Sequence, residues 1–190
     1  MRSLMILILA CGLLCACQSS PKKNYYLLTG PIAKNTNSSN VTTLIGIGPV
    51  DVADYLNRLH IIYQTDSNSV IVAENDYWAE PLDKGIARVI ALNLTQHNNA
   101  RSFVTFPWRS DSAPHYSLRL NIESLSRTAG DASLDATWEL FDNTTKTSVT
   151  RRHFTHSTSA QSDPKALAQA YSKLLAELAS EIDGQLNQLP

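Results

Sequence analysis

The sequence predicts a single α+β domain in which a largely antiparallel sheet packs one face against two long amphipathic helices. Two segments, residues 116–123 and 132–140, alternate apolar and polar residues strictly, as half-buried strands do. Two others, residues 82–97 and 167–186, repeat apolar residues at helical spacing, so each has one apolar face. Strands and helices are interspersed and the strongest strands are joined by short turns, which favours antiparallel pairing beneath a layer of helices.

The first part of the domain is predicted to consist of strands and turns. Residues 24–28 and 42–47 are strand-like, and each is followed by glycine and proline. β-Branched runs at residues 60–64 and 69–73 flank Asp66-Ser67-Asn68, a sequence typical of turns. These two runs are therefore expected to form a hairpin.

The later elements are predicted from residues that cap helices and from residues that end strands. Pro81 fits the first turn of the first helix, and residues 102–106 form a short strand that Pro107 ends. Residues 142–146 are a hairpin turn into a more polar strand at 148–155. Asp163-Pro164 combines an N-cap residue with proline at the first helical position, so the second helix begins there.

Residues 1–16 are predicted to be a lipoprotein signal peptide. An apolar run at residues 4–14 follows Arg2, and it is too short to span a bilayer, which needs about 20 residues. The run ends in Leu14-Cys15-Ala16-Cys17, which resembles the bacterial lipobox. Cleavage between Ala16 and Cys17 would leave Cys17 as the lipid-modified N-terminus.

The other two cysteines fit this role less well. Cys11 would leave an apolar core of about seven residues, which is short for a signal, and Cys15 has Gly12 where a leucine-like residue is expected. All three cysteines lie in this segment, so the mature chain has no pair to form a disulfide. Residues 17–23 are then a lipidated tether and residues 24–190 the folded domain. Gln18 at the second mature position favours the outer membrane under enteric-type sorting, where aspartate retains lipoproteins in the inner membrane.

Composition and motifs argue against several functional classes. The chain has 16 Lys and Arg against 17 Asp and Glu, so no basic excess points to nucleic acid. It has no nucleophile elbow, Walker loop or metalloprotease helix motif, and Gly46-Ile47-Gly48-Pro49 fits a strand bend better than a phosphate loop. His153 and His156 should point to opposite faces of one strand. We therefore expect no catalytic residues, no metal site and no cofactor.

Tyr77-Trp78, just before the first helix, admits two interpretations. The aromatic pair can act as a plug that fixes the entry of the chain into the helix. Alternatively, it forms a contact at a subunit or partner interface, where Tyr and Trp are enriched.

Several short motifs, in order along the chain, resemble the PqiC family, the auxiliary lipoproteins of MCE-type ABC transport systems. They are Lys23-Asn24-Tyr25-Tyr26-x-Leu28, Asp54-Tyr55-Leu56, Ile62-Tyr63-Gln64-Thr65, Trp78-Ala79-x-Pro81-Leu82-Asp83 and the closing Gln188-Leu189-Pro190. The block around Trp78 that follows the Tyr-Gln-Thr strand is the most specific of these. Among site residues, Cys17 alone is carried over from the family.

The resemblance implies a non-enzymatic protein on the periplasmic face of the outer membrane of a Gram-negative bacterium. Its partner would be an inner-membrane-rooted MCE-domain protein, PqiB-like, whose tunnel carries lipids across the envelope. The lipoprotein would dock the far end of that tunnel and support membrane integrity. Because the end of a tunnel needs a closed collar, we further expect the protein to self-associate into a homo-oligomeric ring. The alternative is a stand-alone periplasmic lipoprotein that assembles or activates envelope or cell-wall machinery.

Overall fold

The computed structural model of the protein describes residues 21–32, 43–97 and 101–189. Within these ranges the chain forms one eight-stranded sheet and two long helices, α1 at Leu82–His97 and α2 at Pro164–Leu186. The strands, in chain order, are β1 (Asn24–Tyr26), β2 (Thr43–Val52), β3 (His60–Gln64), β4 (Val70–Trp78), β5 (Arg101–Thr105), β6 (Tyr116–Thr128), β7 (Asp131–Asp142) and β8 (Thr147–Ser159). The predicted α+β class and every predicted strand and helix within the described ranges are confirmed.

The sheet is organised around a long antiparallel meander of β6, β7 and β8. Ala129 and Gly130 join β6 to β7, and both have positive φ, 52° and 95°, as a type I′ hairpin turn requires. The predicted turn between β7 and β8 is closed by Asp142, whose Oδ1 accepts hydrogen bonds from the N–H groups of Thr144 and Thr145 at 2.7 and 3.0 Å. These hydrogen bonds also lower the pKa of the Asp142 carboxyl.

The other edge of β6 is shared by two groups of shorter strands. β2 pairs in parallel with the first part of β6, and β5 lies outside β2. β3 pairs with β6 through Gln64 and Ser126, with β4 outside β3 in the predicted hairpin and β1 at the edge. The sheet is therefore mixed, although its long pairs are antiparallel. The parallel pairing of β2 with β6 was not part of the sequence prediction.

The predicted bend at Gly48-Pro49 is a register shift in β2 between Ile47 and Val50. Gly48 has a φ of 123°, a conformation that glycine adopts readily and side-chain-bearing residues rarely do. At Gly46 the restriction is steric, because a Cβ there would lie 2.6 Å from Cζ3 of Trp108. Gly48 thus allows the backbone to bend, and Gly46 allows Trp108 to pack closely. Both roles agree with the prediction that this motif is a strand bend.

Both helices pack on one face of the sheet and bury it. The predicted cap of α2 is confirmed, since Asp163 Oδ1 accepts a hydrogen bond from the N–H of Ala166 at 3.0 Å. Each fully buried Leu, Ile or Phe side chain contributes about 1.5–3 kcal/mol. The largest side chains that are almost completely buried include Trp138, Phe154, Tyr171, Ile86 and Ile90. On β6 and β7 the intervening residues, such as Arg119 and Glu139, face away from the helices.

Candidate functional site

Tyr77 and Trp78, the two aromatic residues that the sequence singles out, end β4 and point to opposite faces of the sheet. Trp78 is 4% exposed and belongs to the hydrophobic core, where it lines a small void with Leu28 and Leu82. Trp78 therefore packs in the core beneath the segment where the chain enters α1. The interface hypothesis rests on Tyr77, which is only partly buried.

Tyr77 lies in an aromatic group that three strands build together. Tyr25 of β1 and His60 of β3 are its neighbours in register, and the centroids of their rings lie 5.5 and 4.4 Å from that of Tyr77. Nζ of Lys23 lies 5.3 Å from the Tyr77 centroid, within the range of a cation–π interaction. The Tyr77 hydroxyl donates a hydrogen bond to the carbonyl oxygen of Glu74 at 3.1 Å, which orients the ring.

The aromatic group continues along the chain into an exposed apolar side chain. Tyr25 is 62% and Leu27 50% exposed, whereas the alternating residues Tyr26 and Leu28 pack toward the core. We call this surface the aromatic patch, and it consists of Lys23, Tyr25, Leu27, His60 and Tyr77. Rings and apolar groups with a cation at the rim suit a contact surface better than a catalytic site.

The predicted lipid site Cys17 and the cleavage position Ala16 lie outside the described residues. Lys23 follows Cys17 by six residues, and a fully extended chain of that length spans at most about 20 Å. The aromatic patch therefore lies next to the tether. No helix within the described residues is long and apolar enough to cross a membrane.

The sheet face opposite the helices carries a polar groove of about 700 Å³ between the β2 bend and β6–β8. Arg119 stacks with its guanidinium 3.5 Å from the centroid of Phe141, and its Nη1 lies 3.6 Å from Oε2 of Glu139. Arg151 lies opposite Glu139 in register, and Asp51 lines the far side. Positive and negative side chains alternate, so the groove does not select a ligand of one charge.

Strand pairing also brings together Glu123 of β6, Asp135 of β7 and His153 of β8. His153 Nε2 lies 3.0 Å from Asp135 Oδ1, and Nδ1 lies 3.7 Å from Glu123 Oε2. Each of the three residues offers one atom that could bind a metal ion, and these atoms all lie within 4.8 Å of one another. Among the described residues, this is the group that could hold a metal ion. His153 is 59% exposed at its side chain and already faces a carboxylate with each ring nitrogen. The Thr155 hydroxyl is hydrogen-bonded to His153 Nε2 at 2.9 Å and to Asp135 Oδ1 at 3.3 Å, which ties the edge strand β8 to β7 at this point.

Sequence reasoning did not find this cluster, because its members lie on three strands and are joined only by register. A register shift between Ile122 and Ser124, a β-bulge in β6, places Glu123 beside Asp135. No residue pattern in β6 predicts this bulge. The expectation that His153 and His156 point to opposite faces is met. His156 turns toward α2, where its Nδ1 lies 3.2 Å from Glu177 Oε2.

Comparison with known proteins places this architecture among lipoproteins. The family model described as the ABC-type transport auxiliary lipoprotein component matches residues 25–183. The intermembrane transport lipoprotein PqiC of Escherichia coli is 33% identical over 86 residues, which cover 43% of this chain and 45% of that protein. The alignment thus spans less than half of that relative.

Two crystal structures have a similar fold. One, of an uncharacterized protein, superposes with a TM-score of 0.71 at 21% identity, and the match covers 87% of this chain and 99% of that one. The other, protein XCC0632 of Xanthomonas campestris, gives a TM-score of 0.68 at 17% identity with the same coverage. At these identities the likeness concerns the fold alone.

Proposed function

The chain belongs to the family of ABC-type transport auxiliary lipoprotein components, and from that membership we propose a docking role in lipid transport between the two membranes. In this proposal Cys17 carries the lipid that anchors the protein to the periplasmic face of the outer membrane. The folded domain then holds the far end of a tunnel formed by an inner-membrane-rooted MCE-domain protein, PqiB-like, and so supports membrane integrity.

The extent of the family match carries the proposal. It begins at Tyr25, eight residues after Cys17, and ends at Asp183 within α2. The matched region therefore includes β2 to β8, all of α1 and most of β1 and α2, rather than one motif. The name of the partly aligned relative, an intermembrane transport lipoprotein, is consistent with the same role.

A non-catalytic role fits the surfaces that the described residues offer. The family is one of transport auxiliary components, not of enzymes. The aromatic patch has the composition of a contact surface, and the polar groove is open and of mixed charge. The domain is thus proposed to act through binding, without turnover of a substrate.

Self-association into a ring is the second part of the proposal, and the edge of β4 supports it. β1 pairs with Asp76, Tyr77 and Trp78, so within the described residues the first half of β4 has no strand on its outer side. Val70, Ile71 and Val72 in that half are each 45–48% exposed. An exposed apolar edge strand favours pairing with another chain, and a second copy of this protein would cover it.

Affinity purification from native membranes tests the docking role. A C-terminally tagged full-length protein should recover an MCE-domain protein and its ABC subunits after mild solubilisation. Cys17→Ala should weaken this recovery because the anchor is lost. Gln18→Asp is the matched control, since it keeps the lipid but directs the protein to the inner membrane under enteric-type sorting.

The outcomes separate the two candidate functions. Recovery of the transport partners by the natural protein, and weaker recovery by both variants, supports docking at the outer membrane. Recovery with cell-wall or envelope assembly enzymes instead would favour the stand-alone assembly or activator lipoprotein. Recovery of the partners in equal amounts from all three proteins would reject the need for the outer-membrane anchor.

A further inference from the structure

We propose that the aromatic patch (Lys23, Tyr25, Leu27, His60 and Tyr77) rests on the lipid surface and orients the domain on the membrane. This inference rests on the proposed anchor at Cys17 and goes beyond it. A tether alone leaves the domain free to tumble, whereas a second contact fixes which side of the sheet faces the bilayer.

The position of the patch in the chain supports lipid as its partner. The described chain begins at Pro21, and Lys23 is the first member of the patch. The six-residue separation from Cys17 limits the distance between Lys23 and the lipidated residue to about 20 Å. Any other surface of the domain is joined to the lipid only through this segment, so in the chain the patch is the first part of the folded domain to follow the tether.

The chemistry of the patch matches a bilayer interface. Tyrosine is enriched where a membrane meets water, because its ring is apolar and its hydroxyl is polar. Leu27, 50% exposed, adds an aliphatic group that gains from leaving water. Lys23 can bury its stem and keep its ammonium among the headgroups, and the exposed Lys22 adds a second cation for anionic lipids.

The acidic side chain that lies beside Tyr77 in β4, Asp76, is already engaged by hydrogen bonds. Asp76 Oδ1 accepts hydrogen bonds at 3.0 Å from both Asn24 Nδ2 and the Tyr26 hydroxyl. The most exposed ring of the patch is Tyr25, at 62% exposure, and Lys23, two residues earlier in the chain, is positive.

The sheet itself holds the rings of the patch in place. Rings from three strands are held in register with centroids 4.4–5.5 Å apart. Because Tyr77 and His60 are strand residues and only partly exposed, the rings lose little conformational freedom on contact. A rigid aromatic surface therefore binds at a lower entropic cost than an equally apolar loop.

The mature chain allows a site-specific test, because its one cysteine, Cys17, would be consumed by the lipid. Leu27→Cys carries an environment-sensitive fluorophore in the patch and keeps the aromatic rings. Val149→Cys on β8, where the natural residue is 47% exposed, is the matched control. Both full-length lipoproteins are purified from membranes, labelled and reconstituted into phosphatidylethanolamine–phosphatidylglycerol vesicles with or without a doxyl-labelled lipid.

We expect blue-shifted emission and quenching by the doxyl lipid at position 27, and water-like emission without quenching at position 149. Adding Tyr25→Ser to Leu27→Cys should reduce the quenching about twofold or more, because the most exposed ring is lost. Tyr25 is largely exposed, so this change leaves the core intact, and circular dichroism checks that the variant is folded.

Two results would overturn the inference. Equal, water-like signals at positions 27 and 149 would show that the patch stays in solution. Shielding at position 27 that grows with the density of protein in the vesicles, without quenching by the doxyl lipid, would assign the patch to contacts between protein copies. Mass spectrometry of the N-terminal peptide separates these outcomes from a failure of the anchor, since an unmodified Cys17 would reject the proposed function itself.

Discussion

Nε1 of Trp138 on β7 donates a hydrogen bond to Oε1 of Glu181 on α2 across 3.1 Å. Trp138 is 1% exposed, so this carboxylate satisfies a polar group that the core would otherwise leave without a partner. The bond joins the centre of the sheet to the longer helix. It also explains why an acidic residue occurs among the apolar positions of α2, between Leu178 and Ile182.

Glu181→Leu should destabilise the fold, although leucine is apolar and suits a helix. The buried indole N–H would lose its acceptor, and we expect the free energy of unfolding to fall by about 1–3 kcal/mol. Urea denaturation followed by tryptophan fluorescence measures the change. Glu181→Gln keeps an oxygen acceptor and should retain most of the stability, so equal losses in the two variants would contradict the role given to this bond.

Ala129→Asn should stabilise the turn between β6 and β7. Ala129 has a φ of 52°, a left-handed conformation that asparagine tolerates better than alanine, and Asn-Gly is the preferred pair for a type I′ turn. We expect a gain of about 0.5–1 kcal/mol in the free energy of unfolding, measured by urea denaturation. Ala113→Asn, at a residue with a φ of −63°, is the control and should bring no such gain.

Stability should decline at alkaline pH because of Tyr171. Burial, followed by the nearby Tyr55 and Tyr63, raises the pKa of the Tyr171 hydroxyl far above its usual value of 10.0. The folded state keeps the proton while the unfolded state releases it above pH 10. The free energy of unfolding is therefore undiminished below that pH and falls above it by about 1.4 kcal/mol per pH unit.

Tyr171→Phe tests this dependence. The variant loses the 3.3 Å hydrogen bond from the hydroxyl to the carbonyl oxygen of Ser126, so it should be about 1 kcal/mol less stable at neutral pH. Above pH 10 it should lose stability less steeply than the natural protein. Leu174→Val, which removes a buried methylene from the same helix, should lower stability without changing the slope. An unchanged slope in Tyr171→Phe would exclude this tyrosine as the cause.

Ile71→Lys should weaken self-association, if the edge of β4 is covered by another copy. A lysine on an exposed edge opposes pairing with a further strand, because its charge would have to be desolvated. Sedimentation velocity of the mature protein in detergent should show a smaller assembly. Val149→Lys changes a residue of similar exposure on β8 and should leave the assembly unchanged. The same size for both variants and the natural protein would place the interface elsewhere.

Local residue patterns were sufficient for the individual elements. Strict alternation in β6 and β7, the turn residues at Asp66–Asn68 and Asp142, and the Asp163 cap each act within a few residues of chain, so the sequence predicts them directly. The same holds for the bend at Gly48, where φ is positive. Aromatic composition also pointed to Tyr77 and Trp78, but not to their different surroundings.

The sequence by itself determined the α+β class, the lipoprotein character and the family resemblance. These depend on periodicity, caps and short motifs, which involve residues that are close together in the chain. Tertiary structure alone decided that Trp78 is core while Tyr77 joins Tyr25 and His60 at the surface, and that Glu123 meets His153. These depend on which strands pair and in which register. Shifting a pairing by one residue turns every side chain to the other face, and that choice is made by packing of the whole sheet against its helices.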